Sequence, residues 1–211
     1  MHYSLVMIGA HDGSKTEQMV KNAVQTGPVV LVEAVPWIYQ KLVNRHSSNP
    51  LVTCLNEAVS NQDGVIDFFM LTEEAINING AADQMGSLIE THATDHSAQL
   101  KPFQTKIQCP SRTFSTLFTD LQISSLDVLM TDMEGADVST LIHFPFHLIR
   151  PRQIIFEAKH SDGTMRLGKN LATLLLLLEA SQYRACFVGS ENFVAIDEKV
   201  DPNLPQLHVH I

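Results

Sequence analysis

The sequence predicts an α/β fold built on a mainly parallel sheet that has helices on both faces and an antiparallel edge strand. Short apolar runs of strand length alternate along the chain with stretches of helical periodicity. Several of these runs end at a glycine or an acidic residue, and only the short turn 190–192 separates the last two, as in a hairpin. The length of 211 residues suits one domain that spans residues 1–211.

The first half of the chain is predicted to hold four strands and two helices. Residues 3–8 form an apolar run that ends at a glycine-containing turn, and the amphipathic helix that follows ends at Gly27-Pro28. Pro36 suits the first turn of a second helix, which runs to about His46. The other strands of this half are predicted at residues 29–32, 51–55 and 65–70.

Residues 71–104 separate the two halves and lack a clear period. A long, mostly polar segment inside a compact domain is usually functional or else disordered, so we expect a lid or substrate-binding insertion here. Beyond it, the pattern predicts strands at residues 105–109, 128–130, 153–156, 185–188 and 193–196, with helices at 113–121, after Gly135 and at 168–181.

The last predicted helix is apolar on more than one side. Leu174 and Leu178 share one face, whereas Leu176 and Leu177 point in other directions. A helix of this kind is usually buried on several sides. We therefore expect either the polar insertion or a second subunit to cover it, the latter giving a homodimer.

Composition and charge exclude several classes of partner. The net charge is −9 and no Lys/Arg cluster is present, which argues against nucleic acid and anionic membranes as partners. Cys54, Cys109 and Cys186 are far apart in apolar stretches, which predicts buried free thiols in a reducing compartment. The chain opens on a strand-like segment rather than a signal peptide, and its longest apolar run, 174–178, is too short to span a bilayer. We expect a cytoplasmic protein.

Two features in the first half point to a nucleoside ligand. Gly9-x-x-x-Gly13 allows the backbone to approach a ligand closely, although such spacing is more often simple turn chemistry. Glu33 ends the second strand about twenty residues later, where a carboxylate can accept both ribose hydroxyls or can cap the helix at Pro36. The glycine spacing fits neither the dinucleotide fingerprint nor the P-loop, so an NAD-dependent dehydrogenase is disfavoured.

A third feature places acids at the end of a buried strand. Asp127 to Asp137 begins as an apolar strand and then carries Asp132 and Glu134 before Gly135. Ligands of open α/β sheets bind outside the carboxyl ends of the strands, so both acids lie where chemistry is expected. The alternative is that they only cap the helix that follows.

These three segments resemble a known family. Val6-Met7-Ile8-Gly9-Ala10-His11-Asp12-Gly13, Val30-Leu31-Val32-Glu33-Ala34-Val35-Pro36 and Leu129-Met130-Thr131-Asp132-Met133-Glu134-Gly135-Ala136-Asp137 are similar, in the same order, to signatures of the FkbM-type methyltransferases. Arg150-Pro151-Arg152-Gln153-Ile154-Ile155-Phe156-Glu157 resembles the next strand of that family. The glycine turn is generic to class I methyltransferases, whereas Asp-x-Glu-Gly-Ala-Asp is more specific.

The resemblance implies a seven-stranded Rossmann-like fold that binds S-adenosylmethionine and releases S-adenosylhomocysteine. It assigns the cofactor contacts to Gly9, Ala10, Asp12, Gly13, Glu33, Asn56, Glu57, Ala58 and Asp132. The family commonly has an acid where this chain has Met7, so one expected contact to the methionine amine is missing. Asp12 or Asp132 is expected to take over that contact, or the cofactor binds more weakly.

Three residues are candidates for the general base that accepts the substrate proton. These are Asp132, Glu134 and His160, the last lying just beyond the fifth parallel strand; the alternative for His160 is a turn residue without a chemical role. No metal is expected to be required, and Mg²⁺ held by Asp132 and Glu134 is the alternative. The pairs His92/His96 and His208/His210 are interpreted as solvated surface features, because neither has a recognisable third ligand in sequence.

The hypothesis that follows is an S-adenosylmethionine-dependent O-methyltransferase acting on a small hydroxylated metabolite, sugar or natural product. A non-catalytic nucleoside-binding or assembly subunit with the same fold is the alternative, because of Met7 and the leucine-rich helix. Cofactor binding and a methyl-transfer assay distinguish the two.

Overall fold

The computed structural model describes residues 1–200 and builds them around a seven-stranded sheet. Its strands are numbered along the chain as β1 (His2–Ile8), β2 (Val29–Val32), β3 (Val52–Leu55), β4 (Ala58–Val59), β5 (Gly64–Leu71), β6 (Gln104–Arg112), β7 (Ser125–Thr131), β8 (Gln153–Glu157), β9 (Tyr183–Val188) and β10 (Asn192–Asp197). The main sheet has the order β3-β2-β1-β7-β8-β10-β9. Strand β10 runs antiparallel to both of its neighbours, and the other pairs are parallel.

This topology confirms the predicted fold class. A β10–β9 hairpin completes one end of a parallel sheet, with β9 outermost and the reversed strand β10 beside it. Sequence order changes direction at β1, which has β2 on one side and β7 on the other. In open α/β sheets the ligand crevice forms at such a switch point, outside the carboxyl ends of the strands.

Helices cover both faces because the strand residues alternate between two cores. The helices are α1 (Glu17–Ala23), α2 (Pro36–His46), α3 (His92–His96), α4 (Phe114–Asp120), α5 (Asp137–Leu141) and α6 (Lys169–Ala180). Val6 and Leu129 of the sheet face α4, α5 and α6, in a core that includes Leu117, Leu141 and Leu174. Their neighbours on the opposite face, including Leu5 and Leu31, pack with Val20 of α1 and Leu42 of α2. Period-two burial of this kind is expected for strands covered on both sides.

A second, three-stranded sheet stands beside the main one and was not anticipated. Its order is β4-β6-β5, with β5 and β6 antiparallel along their full length. The sequence predicted β5 and most of β6 as strands but provided no sign that they leave the main sheet. Their separation depends on which edges pair in three dimensions, which periodicity does not reveal.

The segment between β5 and β6 is folded into short helical turns. Three 3₁₀ turns and α3 occupy most of it, and its small core contains Leu71, Ala75, Ala82, Ala93 and Leu100. The sequence of this segment did not predict these turns, because turns of three to six residues bury too few side chains to produce a regular periodicity.

The leucine-rich helix α6 buries only one face. Leu174 and Leu178 are fully buried against the sheet, whereas Leu176 remains 66% exposed. Cover by a second subunit therefore stays a prediction. None of the helices in the described part of the chain has the length and apolarity needed to cross a bilayer.

The three cysteines are free thiols, but they are not all buried as predicted. Cys109 is buried, Cys54 is half-buried and Cys186 is exposed. The prediction fails for Cys186 because β9 is the outermost strand of the sheet and lacks a covering layer on that side.

Candidate active site

A cavity opens at the carboxyl ends of β1, β2 and β7, where the chain changes direction across the sheet. It encloses about 740 Å³, counting the part that is open to solvent. Its walls combine three groups of residues: strand ends (Ile8, Gly9, His11, Lys15, Val32, Glu33, Ala34, Val35), the second sheet (Glu57, Ala58, Val59, Phe68) and the insertion with the β7 turn (Asp83, Gln84, Gly86, Leu88, Asp132, Met133, Glu134).

The turn after β1 requires its first glycine for a steric reason. Gly9 has φ +77°, and a Cβ at this position would lie 1.8 Å from the main-chain oxygen of Asp132. A side chain is therefore excluded, and β1 and β7 approach each other closely at the rim of the cavity. The neighbouring Met7 is buried in the core, so the side chain at that position does not reach the cavity.

Only part of the predicted glycine turn faces the cavity. Gly9 lines it, whereas Ala10, Asp12 and Gly13 do not. The Asp12 carboxylate accepts hydrogen bonds from the Ser14 main-chain N–H (2.9 Å) and the Ser14 hydroxyl (2.6 Å) and pairs with Arg45 at 3.1 Å. Burial opposes ionisation of Asp12, but the Ser14 hydrogen bonds prevail and hold its pKa at about 2. Asp12 is thus an ionised residue that organises the turn.

Glu33 is a buried carboxylate at the end of β2, as predicted from its position. Its Oε2 accepts from the His11 N–H at 2.9 Å and its Oε1 accepts from the Val35 N–H at 2.8 Å. Burial raises the pKa of Glu33, while these two hydrogen bonds act in the opposite direction. Each carboxylate oxygen has a second lone pair, so two hydroxyl donors can still be accommodated from the cavity.

Of the three residues after β3, one supports the end of β2 and the other two line the cavity. Asn56 donates to the carbonyl oxygens of Glu33 and Ala34 at 2.8 and 3.2 Å, and so holds the β2 end without lining the cavity. Glu57 lines the cavity and accepts from Arg112 at 2.6 Å. Ala58 is buried and contributes an apolar surface.

Asp132 is the acid that the structure leaves available at the cavity. It is exposed there, and its side chain accepts no hydrogen bond from the residues that the structure describes. Although the side chain is open to the cavity, the protein around it withdraws it from bulk water, and this desolvation, reinforced by the nearby charge of Glu134, raises the pKa of Asp132 to about 6. Asp137, at the start of α5, is fully buried, and burial together with the charge of Asp132 raises its pKa to about 7.

Glu134 lies in a turn whose backbone is held in an uncommon conformation. It has φ +48°, and Gly135 beside it has φ +98°. The Ser87 hydroxyl donates to the Glu134 carbonyl at 2.8 Å. A Cβ at Gly135 would lie 3.0 Å from Ile89 and 3.4 Å from the Cβ of His160. The insertion and the loop after β8 therefore both pack on this turn.

The Glu134 side chain meets three histidines on the side away from the cavity. Its Oε2 lies 2.9 Å from Nε2 of His92 and 3.8 Å from Nε2 of His160, and His96 completes the group. Burial opposes ionisation of Glu134, but the hydrogen bond and charge of His92 outweigh it and lower its pKa. Burial, with a contribution from His92, lowers the pKa of His160 to about 4, so the ring is neutral near pH 7. His160 does not line the cavity.

This arrangement corrects the interpretation of His92 as a solvated surface residue. His92 is fully buried, because the insertion folds α3 against the β7 turn and brings residues distant in sequence into contact. His96, one helical turn later, is exposed as predicted. His208 and His210 lie outside the residues that the structure describes.

Sequence reasoning missed several cavity residues. Lys15 and His11 flank the glycine turn, and Asp83 reaches the cavity from the insertion, where it lies 3.2 Å from His11. The glycine turn itself was a signal for Lys15, since a residue just after such a turn faces the same ligand. The insertion offered no comparable signal for Asp83 beyond its length.

Comparison with known proteins agrees with this geometry. The family model described as the methyltransferase FkbM domain matches residues 8–185, a span that includes every wall of the cavity.

The chain belongs to the FkbM methyltransferase family.

The resemblance seen in the sequence is thereby confirmed. Comparison with proteins of curated function gives no match.

Solved structures show the same fold as this FkbM-family chain. An FkbM methyltransferase from Methylobacillus flagellatus KT superposes with a TM-score of 0.57 at 11% identity, over 93% of this chain and 44% of that one. Aeropyrum pernix fibrillarin, in complex with natively bound S-adenosyl-L-methionine, gives 0.52 at 10% identity, over 92% and 66%. The Methanococcus jannaschii fibrillarin pre-rRNA processing protein gives 0.50 at 13% identity, over 93% and 67%. The chain thus spans less than two thirds of the length of the first two proteins.

Proposed function

We propose that this protein is an S-adenosylmethionine-dependent O-methyltransferase that acts on a hydroxyl group of a small metabolite, sugar or natural product. The observation that carries the proposal is the position of Asp132. In a chain of the FkbM methyltransferase family, its carboxylate faces a cavity at the switch point of the sheet and is free of protein hydrogen bonds among the described residues.

The chemistry of the cavity walls fits the cofactor. Val35, Ala58 and Phe68 provide an apolar surface for a base, and Glu33 retains acceptor capacity for ribose hydroxyls. Asp132 and Glu134 place negative charge at the other side, where a sulfonium cation is stabilised. Gly9 removes side-chain bulk from the rim between these regions.

The protein has a limited chemical task in this proposal. Bound S-adenosylmethionine supplies a methyl group that is already activated by the sulfonium. The cavity orients the substrate hydroxyl, which is the major contribution in reactions of this kind. Asp132 accepts the hydroxyl proton as the oxygen attacks. Glu134 already pairs with His92, and His160 lies 3.8 Å from the same carboxylate oxygen. Glu134 and His160 therefore act by holding the turn that carries Asp132.

The substrate is proposed to be small and uncharged or cationic. The net charge of −9 and the acids that line the cavity oppose a polyanion, so the pre-rRNA processing named for one structural neighbour is not transferred to this chain. Gln84, Gly86 and Leu88 bring the insertion into contact with the cavity, and we propose that this segment selects the substrate.

Two measurements, made one after the other, test the proposed function. Calorimetry with S-adenosylhomocysteine tests the cofactor site, and the absence of binding would refute the proposal. Methyl transfer from labelled S-adenosylmethionine is then measured on a panel of hydroxylated sugars and phenols, with the matching amines as controls. Transfer to amines alone would contradict O-specificity, and cofactor binding without transfer to any acceptor would favour the alternative, a non-catalytic nucleoside-binding subunit.

A further inference from the structure

We propose that His92, His96, His160 and Glu134 form a binding site for one divalent transition-metal ion, of which Zn²⁺ suits the ligands best. The site fastens the insertion to the turn that carries Asp132. It is separate from the cofactor cavity, with which it shares only Glu134.

The four side chains converge on one point. One potential ligand atom from each residue lies within 4.8 Å of all the others. The three imidazole centroids are 4.8, 4.8 and 5.0 Å apart, and each pair of rings is close to perpendicular, at 78°, 87° and 81°. Two ligand atoms on a tetrahedral Zn²⁺ stand roughly 3.3 Å apart, given bonds of about 2.0–2.1 Å. The distances from Glu134 to His92 and His160, 2.9 and 3.8 Å, lie on either side of that value.

A buried atom without a partner is the second, independent observation. Nε2 of His160 faces the cluster, is fully buried and has no hydrogen-bond partner. A buried polar atom left in this way is destabilising, and a metal ion at the centre of the cluster would satisfy it. The hydroxyl of Thr164 lies 3.4 Å from Nδ1 of His92, where it can orient the ring with Nε2 directed inward.

Ligand type distinguishes this cluster from the neighbouring acids. Three imidazoles and one carboxylate suit Zn²⁺ and related transition metals, whereas Mg²⁺ prefers oxygen ligands alone. Asp132, Glu134 and Glu157 form an all-oxygen group nearby, but the Lys159 ammonium already pairs with Glu157 at 2.9 Å. Among the described residues no Lys or Arg is ion-paired with the histidine cluster, which makes it the better metal site, although the positive charge of Lys159 also acts on Glu134, His96 and His160.

Metal binding at His160 has a structural consequence. The Met165 N–H donates to Nδ1 of His160 at 2.8 Å, so Nδ1 holds the lone pair in the metal-free ring. Coordination through Nε2 moves the proton to Nδ1, because a neutral imidazole has one donor and one acceptor. The hydrogen bond from Met165 must then break. Met165 already has φ +57°, so the segment 161–168 is expected to rearrange when metal binds.

The site would join three segments that are remote in sequence. His92 and His96 belong to the insertion, Glu134 to the turn after β7 and His160 to the loop after β8. An ion bound by all three stabilises the folded arrangement by mass action. The exposed side of His96 provides a path for the ion to enter.

Zinc titration tests the proposal. The parent protein carries His208→Ala and His210→Ala, so that this histidine pair cannot contribute adventitious metal binding. After treatment with a chelator, ZnCl₂ is titrated by calorimetry, and melting temperature and hydrogen exchange are measured with and without the ion. We expect one Zn²⁺ per chain, a rise in melting temperature of roughly 5–10 °C and a change of exchange in residues 161–168.

The ligand variants decide between a metal site and a hydrogen-bonded cluster. His96→Gln is the main variant, because this exposed residue can be replaced without disturbing the core, and His92→Gln is the second. Each should weaken zinc binding by more than the roughly 10–100-fold that loss of an outer partner costs. His143→Gln, at an exposed histidine outside the cluster, should leave it unchanged. No zinc binding by the parent, or equal binding by His96→Gln, would overturn the proposal.

Discussion

Nε2 of His92 lies 2.9 Å from Oε2 of Glu134, although 42 residues separate the two in sequence. This contact connects the insertion between β5 and β6 to the turn that presents Asp132 to the cavity. The Ser87 hydroxyl reinforces it from the same insertion by donating to the Glu134 carbonyl at 2.8 Å. The segment that contacts the cavity through Gln84 and Leu88 is thus anchored to the acidic turn itself.

Asp132→Asn should reduce turnover far more than cofactor affinity. The substitution keeps the shape of the side chain but removes a base, whose usual contribution to rate is about 10²–10⁴-fold. The rate of methyl transfer and the affinity for S-adenosylhomocysteine are measured together. Glu179→Gln, on the exposed side of α6, is the control. Equal losses in both quantities would show that Asp132 is only a cofactor contact.

Glu33→Ala should impair both cofactor binding and folding. Removal of a charged acceptor for ribose hydroxyls is expected to weaken S-adenosylhomocysteine binding by about 10–100-fold. The N–H groups of His11 and Val35 also lose their acceptor, at a cost of about 1–3 kcal/mol in the free energy of unfolding. Glu33→Gln retains one acceptor oxygen and should show smaller losses in calorimetry and urea unfolding. Undiminished binding of S-adenosylhomocysteine by Glu33→Ala would show that Glu33 does not contact the cofactor.

Arg150→Met should destabilise the fold by about 3–5 kcal/mol, because it leaves a buried carboxylate without its partner. Arg150 donates through Nε and Nη2 to Asp197 at 3.0 and 2.7 Å, and the Asp197 side chain is completely buried. Lys106→Met breaks the exposed pair with Asp67 and should have almost no effect on urea unfolding. Similar effects of the two substitutions would contradict this account.

Asp137 should make the protein less stable as the pH rises. Burial, followed by the charge of Asp132, raises its folded-state pKa from 3.8 to about 7. The folded protein therefore binds this proton more tightly than the unfolded chain. The resulting stabilisation is complete below about pH 4 and is lost as the pH rises through 7, with a slope of up to about 1.4 kcal/mol per pH unit.

Asp137→Asn tests this dependence, because the amide does not titrate. The free energy of unfolding of both proteins is measured in urea between pH 5 and pH 8. We expect the free energy of unfolding of the variant to increase relative to that of the wild type as the pH increases. Parallel curves would mean that Asp137 titrates alike in the folded and unfolded states.

The cofactor half of the site could be predicted from local pattern alone. Gly9, Glu33 and Asp132 each follow an apolar run, and parallel strands bring their carboxyl ends to one edge. Asp12 was also chosen from the motif, yet its side chain turns to Ser14 and Arg45 instead of the cavity. A motif gives the position of a residue along the chain, whereas the direction of its side chain depends on the partners available in space.

The sequence by itself determined the α/β class, most of the strands of the main sheet and the order of the acids along its edge, because these depend on short-range periodicity and strand polarity. Only the tertiary structure decided that β5 and β6 leave the main sheet and that His92, His96, His160 and Glu134 meet. The physical reason is that these contacts join segments tens of residues apart, through an insertion whose own periodicity is weak. The burial of His92 results from that packing, and the residues beside His92 in the sequence do not indicate it.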